Sequence, residues 1–244
     1  MNPTDPIASL PRRQLSLALA SAFGAFGIAS APQAHAISLS DLSKADATAG
    51  LKGALSESSI SAVKLLGVEN GFMNNAKVRI PLPGYLEKAA KTMKMLGMKK
   101  QVDELELAMN RAAEAAVPEA QTLLVDAVKT MSVTDAKNIL TGGQTAGTEY
   151  FKGKTKTPLQ GKFLPIVKKA TEKVGLAQKY NEYAGQAEKL KLLQGDAVNV
   201  EKWVTAKALD GLYLIMGEQE AKLRQNPVGA TTDIVKKVFS ALGK

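Results

Sequence analysis

The sequence predicts an all-α fold, a single-domain bundle of about eight helices with one extended, proline-containing segment near 77–84. Three observations carry this. Apolar residues recur with the 3.6-residue helical period along most of the chain beyond residue 44. Start and stop signals cut that pattern into helix-sized lengths: Gly67, Gly97, Gly142-Gly143 and Asn226-Pro227 end runs, and Ser132, Asn199 and Thr232 begin them. Only residues 78–82 alternate with the two-residue period of extended chain.

Taken in order, Asp46 is a candidate cap for a helix to about Leu66, with Leu51, Leu55, Ala62, Val63 and Leu66 on one side and Gly67 as the stop. "VENGFMNNA", 68–76, is loop. In "KVRIPLPGYL", 77–86, Pro81 and Pro83 lack amide donors and exclude helix at the residues before them. Val78, Ile80 and Leu82 then face inward, as a strap across the helices. Arg79 is a structural ion-pairing residue if it meets a carboxylate such as Glu114, and a binding residue if it points unpaired into a pocket. A helix from about Tyr85 to Leu96 follows, stopped by Gly97. The next run starts near Lys99 with Val102, Leu105, Met109, Ala112, Ala116, Leu124, Ala127 and Met131 inward, and Pro118 should kink or break it.

Ser132-Val133-Thr134-Asp135 is a capping box in its acidic form, opening a short helix to Leu140. The glycine-rich stretch 142–147 is the best candidate for a subdomain boundary. A helix near 145–153 is expected next, and Thr157-Pro158 should start another that runs to about Val174 with Pro165 inside it. Residues 176–193 place Leu176, Tyr180, Tyr183, Ala187 and Leu190 on one face. Asn199 caps a helix over 200–225 with Val204, Leu209, Leu212, Tyr213, Met216 and Leu223 inward. Thr232 caps the last one, with Ile234, Val235, Val238, Phe239 and Leu242.

The N-terminus has the order of an export signal: Arg12 and Arg13, an uncharged run from Leu15 to Ile28, then Ala34-His35-Ala36 with small residues at −3 and −1. That run is shorter than the roughly 20 residues of a membrane span. Cleavage after Ala36 would leave 37–244 as a single α-helical domain in the periplasm. Pro11-Arg12-Arg13-Gln14-Leu15 fits both a twin-arginine and an ordinary secretory signal.

Residues 37–244 contain no histidine and no cysteine, since His35 is the sole histidine. They supply no imidazole base, no Ser-His-Asp or Cys-His set, and no disulfide. No metal ligand set and no cofactor is expected, and no catalytic residue is assigned. Without Arg12, Arg13 and Asp5, 30 basic and 22 acidic residues remain, a net charge of +8. That charge suits an anionic envelope component. It is scattered, however, and Trp203 is the lone tryptophan, so a nucleic-acid partner is not expected.

Several clusters are candidate binding positions. Arg111 and Glu114 are three apart in "MNRAAEAAVPEA", among alanines that allow close helix approach. They form either an ion pair between helices or a polar pocket. "TEYFKGKTKTPLQGK", 148–162, reads as a basic turn between two helices, with Tyr150 and Phe151 as anchors and Lys152, Lys154 and Lys156 solvated. Gly153-Lys154-Thr155 is no phosphate loop, because Thr148 stands where the first glycine belongs and no strand precedes it. Asp103, Glu104 and Glu106 behind Lys99 and Lys100 mark an exposed, salt-bridged face. Met93, Met95, Leu96 and Met98 are expected in the core, or else lining a pliable pocket. The C-terminal helix, with Lys236 and Lys237 opposite Ile234, Val238 and Phe239, closes the fold rather than lying on a membrane.

Several stretches together resemble a bacterial exported family catalogued as domain of unknown function 4197. They are "SLSDLSKADATAGLKGAL" (38–55), "GFMNNAKVRIPLP" (71–83), "MNRAAEAAVPEA" (109–120), "AVKTMSVTDAKNILTGG" (127–143), "EYFKGKT" (149–155), "FLPIVKKATEKVGLAQKYN" (163–181) and "VTAKALDGLY" (204–213). The resemblance implies an exported protein of bacteria with an outer membrane, and carries over no functional residue. The expected function is a non-catalytic binding or structural module. Two alternatives stand beside it: a carrier holding an apolar ligand in an inter-helix cavity, and an enzyme in which Glu114, Tyr150 and Lys154 converge on one cleft.

Overall fold

The computed structural model describes residues 43–189, 191, 195–230 and 232–242. The expected export signal, Leu190, and the side chains of Tyr183, Ala187 and Leu242 lie outside the described residues. Nine α-helical segments are present among those described: α1 (Lys44–Leu66), α2 (Gly84–Met93), α3 (Lys99–Ala116), α4 (Ala120–Lys129), α5 (Val133–Leu140), α6 (Ala146–Thr171), α7 (Gly175–Lys189), α8 (Val200–Gln225) and α9 (Asp233–Leu242). No strand occurs among the described residues.

Local chemistry explains most boundaries. Ser132 and Asp135 exchange both bonds of a capping box at the start of α5. The Asn199 side chain accepts the Lys202 N–H and opens α8. At α1 the cap is Ser43, not Asp46: the Ser43 hydroxyl accepts the Asp46 N–H, so Asp46 lies inside the first turn, where its charge suits the helix dipole. Gly97, with φ of 84°, kinks the chain between α2 and α3. Pro118 interrupts the next run as expected, in a short 3₁₀ turn over Val117–Glu119.

The region 148–162 corrects the expectation of a basic turn. It lies wholly within α6, which runs unbroken through Pro158 and Pro165. A helical proline frees the carbonyl four residues earlier, here those of Lys154 and Gly161. Both prolines and both of these residues face solvent, so the freed carbonyls are on the side open to water. The opposite side of α6 buries Thr148, Phe151, Thr155, Leu159, Phe163, Val167 and Thr171. Phe151 is an anchor as expected, but it anchors a helix.

Helix α8 is the centre of the bundle. Buried residues occur all round it, from Val204, Ala208 and Leu212 to Leu209, Tyr213 and Met216. It packs along α6, α1 and α3, while α1 also packs on α9 and α4. Phe72, Phe151, Phe163 and Phe239 are the largest fully buried side chains, and they join the 68–76 loop, α6 and α9 into one apolar cluster. Gly211 on α8 seats the loop and the strap. A Cβ there would lie 2.8 Å from the Phe72 ring and 3.2 Å from Val78 Cβ.

The strap alternates as expected: Val78, Ile80 and Leu82 are buried, and Lys77, Arg79 and Pro81 are exposed. The methionine cluster does not follow expectation. Met95 and Leu96 are 87% and 74% exposed, and Met93 and Met98 are half-buried. Gly97 puts the first two at the apex of the α2–α3 kink, where no residue from Lys94 to Met98 is buried.

Candidate functional site

The five candidate positions fall into two groups. Arg79, Arg111 and Glu114 gather where α3 meets the 68–83 loop and strap. Tyr150 and Lys154 sit together on α6.

In the first group, Glu114 is 4% exposed on α3. Its Oε1 accepts the N–H groups of Phe72 and Met73 at 3.0 and 3.1 Å. Its Oε2 accepts Arg111 Nη1 at 2.5 Å. Arg111 Nη2 continues outward to Glu69 Oε1 and Asn70 Oδ1, at 2.9 and 3.0 Å. Asn70 has φ of 70°, so the pair clamps a left-handed turn that aims Phe72 into the core. The pair is therefore a structural clamp on a loop. Burial pushes the Glu114 carboxyl up, but the Arg111 guanidinium and the amides of Met73, Phe72 and Asn70 outweigh it and hold it below its ordinary value.

A pH dependence follows. Glu114 binds its proton less readily folded than unfolded, so its contribution is complete above the ordinary carboxyl value of 4.5 and is lost as pH falls from there through the folded value. Glu114→Gln is expected to flatten part of the acid limb in a plot of urea midpoint against pH. Asp103 and Asp135, also held low by Lys99 and Ser132, keep the remainder. An unchanged slope would contradict the assignment.

Arg79 meets a different carboxylate from the one expected. Its Nε and Nη2 donate to Glu106 Oε1 at 3.0 and 2.9 Å, two turns before Glu114 on α3. The residue that holds the strap is Asn110, one turn on, fully buried and unflagged by the sequence. Its Oδ1 accepts the Ile80 N–H at 2.8 Å and its Nδ2 donates to the Ile80 carbonyl at 3.0 Å. A side-chain amide thus does for Ile80 what a neighbouring strand would. Trp203 Nε1 donates to the Pro81 carbonyl at 2.9 Å.

In the second group, Tyr150 donates to the Ala127 carbonyl at 3.3 Å, and Lys154 Nζ lies 5.8 Å from the Tyr150 ring centre. Burial, then the Asp135 carboxylate, pushes the phenol above its ordinary value. It is a neutral donor at pH 7, not a base. No hydrogen bond joins Glu114 to Tyr150 or Lys154: Glu114 holds the Phe72 and Met73 amides and Arg111, and Tyr150 holds the Ala127 carbonyl. None of the four depressions described has Glu114, Tyr150 or Lys154 in its wall.

A second clamp went unrecognised in the sequence. Glu220 on α8 is 1% exposed. Its carboxylate accepts the Gly147 and Thr148 N–H groups at 2.9 and 2.8 Å and the Thr148 hydroxyl at 2.9 Å. The 142–147 stretch therefore leads into a helix whose first amides are capped from α8. Arg224, one turn later, donates to Glu220 Oε1 at 3.1 and 2.9 Å, donates to the Ile139 carbonyl at the end of α5 at 3.0 Å, and stacks 5.5 Å from the Phe239 ring. Gly147 is required here, since a Cβ would collide with Leu55 and sit 3.0 Å from Glu220 Oε1. The signal was present: Glu220 continues the inward line of Leu209, Tyr213 and Met216, an acid at a core position with an arginine four residues on.

Beside this clamp an open groove of about 490 Å³ runs between α6 and α8, with Glu149, Lys152, Asp210, Leu214 and Glu218 in its walls. Neither it nor the three other depressions described has a methionine in its wall. No group of three or more His, Cys, Asp or Glu that could hold a metal occurs among the described residues. No helix among them is long and apolar enough to cross a membrane.

Comparison with protein families gives one match over residues 41–240, to the family described as protein of unknown function (DUF4197). No curated protein and no solved structure matches.

Proposed function

We propose that this chain, which belongs to the DUF4197 family, is an exported, periplasmic helical module whose work is binding or structural rather than catalytic. The observation that carries the non-catalytic part is how its buried charges are used. Glu114 and Glu220 each cap two consecutive backbone amides and each holds an arginine. Neither is left to act on a substrate. The order of residues 12–36 supports export, and the family match begins five residues beyond the expected cleavage point.

The test is fractionation of the producing cell, with the mass and N-terminus of the recovered chain. The expected form is periplasmic and begins at Ile37. Arg12→Lys with Arg13→Lys tells the routes apart, since a twin-arginine signal stops working and an ordinary secretory one does not. Full-length chain confined to the cytoplasm would overturn the proposal.

A further inference from the structure

We infer that the apex of the α2–α3 kink is a docking point for an anionic lipid surface. This goes beyond the binding role proposed above, and its test in vitro does not depend on export.

The apex combines two properties that pull a side chain towards a membrane boundary. The first is unpartnered apolar surface. No residue from Lys94 to Met98 is buried, and Met95 and Leu96 are largely exposed at the Gly97 kink. Helix α2 packs on α3 and on the apex segment itself, so nothing in the bundle covers these two side chains. The second is charge. From Lys88 to Val102 the chain has five lysines and no acid, with Glu87 before it and Asp103 and Glu104 after it, a net charge of +2 over 87–104. Asp103 takes Lys94 and Lys99, at 2.9 and 2.7 Å. Lys88, Lys91 and Lys100 have no carboxylate partner among the described residues.

An apolar tip in a collar of free lysines is complementary to a headgroup layer. Met95 and Leu96 reach the acyl boundary, while the lysine stems lie along the apolar surface and keep their ammonium groups at the phosphates. The lysines select anionic lipid and make binding sensitive to salt. A protein partner fits less well. Two flexible side chains are far below the roughly 1,000 Å² of a specific protein interface, and the apex lacks the Trp, Tyr and Arg anchors that dominate such contacts. A membrane requires no matching shape.

Vesicles of phosphatidylglycerol and phosphatidylcholine, against phosphatidylcholine alone, test this by co-sedimentation. Wild type and variants are compared in the same form, so that residues 1–36 are common to all. The wild type should prefer the anionic vesicles. Met95→Asp with Leu96→Asp should weaken binding about tenfold or more, and Lys91→Glu with Lys100→Glu should remove the anionic preference. Both pairs are exposed, so melting temperatures should stay put and separate lost docking from lost folding. In a Leu96→Trp variant, emission should shift to the blue with anionic vesicles and not with inorganic phosphate. Equal binding to both vesicle types, undiminished binding by the double Asp variant, or no shift in Leu96→Trp would each overturn the inference.

Discussion

Replacing Glu220 by alanine is expected to cost about 3–5 kcal/mol of folding stability, as removal of one partner from a buried ion pair does. The Gly147 and Thr148 amides and the Thr148 hydroxyl lose their acceptor inside the protein. Thr145, at the helix start, makes no side-chain cap, so nothing replaces it. Arg224 keeps the Ile139 carbonyl but loses its counter-charge while its side chain is only 8% exposed. The Glu114 clamp should cost less when broken, because Arg111 is 32% exposed and water compensates it in part. Glu220→Gln separates the terms. It keeps an acceptor oxygen but drops the charge, so its urea midpoint should fall between wild type and Glu220→Ala. A loss below about 1 kcal/mol for the alanine variant would mean that the start of α6 does not depend on this carboxylate.

What the sequence disclosed, and what it hid, follows from the range of the forces involved. The Ser132 box, the Asn199 cap, the Gly97 stop and the alternation of Val78, Ile80 and Leu82 are set by residues within four positions of each other. All were legible, and so was the all-α class. The passage of α6 through Pro158 was not, although Pro165 was placed inside a helix. Its buried residues from Phe151 to Thr171 recur every fourth position and so drift about 40° per step around the helix, and a line that winds in this way reads as weak amphipathicity. Pro158 was read by its local penalty, which solvent removes on the outer face.

Exposure of Met95 and Leu96 was hidden for a related reason. Helical spacing says that two residues share a face, but not that a neighbour exists to cover it. Among the five candidate positions, the Arg111–Glu114 pairing was visible in the three-residue spacing. Its task was not, because the Phe72 and Met73 amides it caps are about 40 residues away in sequence. Asn110 and Glu220 were missed for the same cause: a polar residue on an apolar face is a mark in the sequence, but its partner comes only from the fold.

The strap gives the second large effect. Asn110→Ala should cost about 2–5 kcal/mol, because it leaves both the N–H and the carbonyl of Ile80 buried without a partner, at about 1–3 kcal/mol each. Ile80 has 0% exposure, so water cannot substitute. Asn110→Asp is the informative companion. It still accepts the Ile80 N–H but no longer donates to the carbonyls of Ile80 and Glu106, and it adds a buried charge near Glu106. It should be no better than alanine at pH 7 and should recover as the new carboxyl is protonated in acid. Arg79→Ala should cost under about 1 kcal/mol, since the Arg79–Glu106 pair is exposed at the arginine end. Hydrogen exchange at the Ile80 amide reads the same event directly: slow in wild type and in Arg79→Ala, fast in Asn110→Ala. If Arg79→Ala instead exposed that amide as much as Asn110→Ala does, the strap would be fastened by its ion pair, and the amide clamp on Ile80 would be incidental.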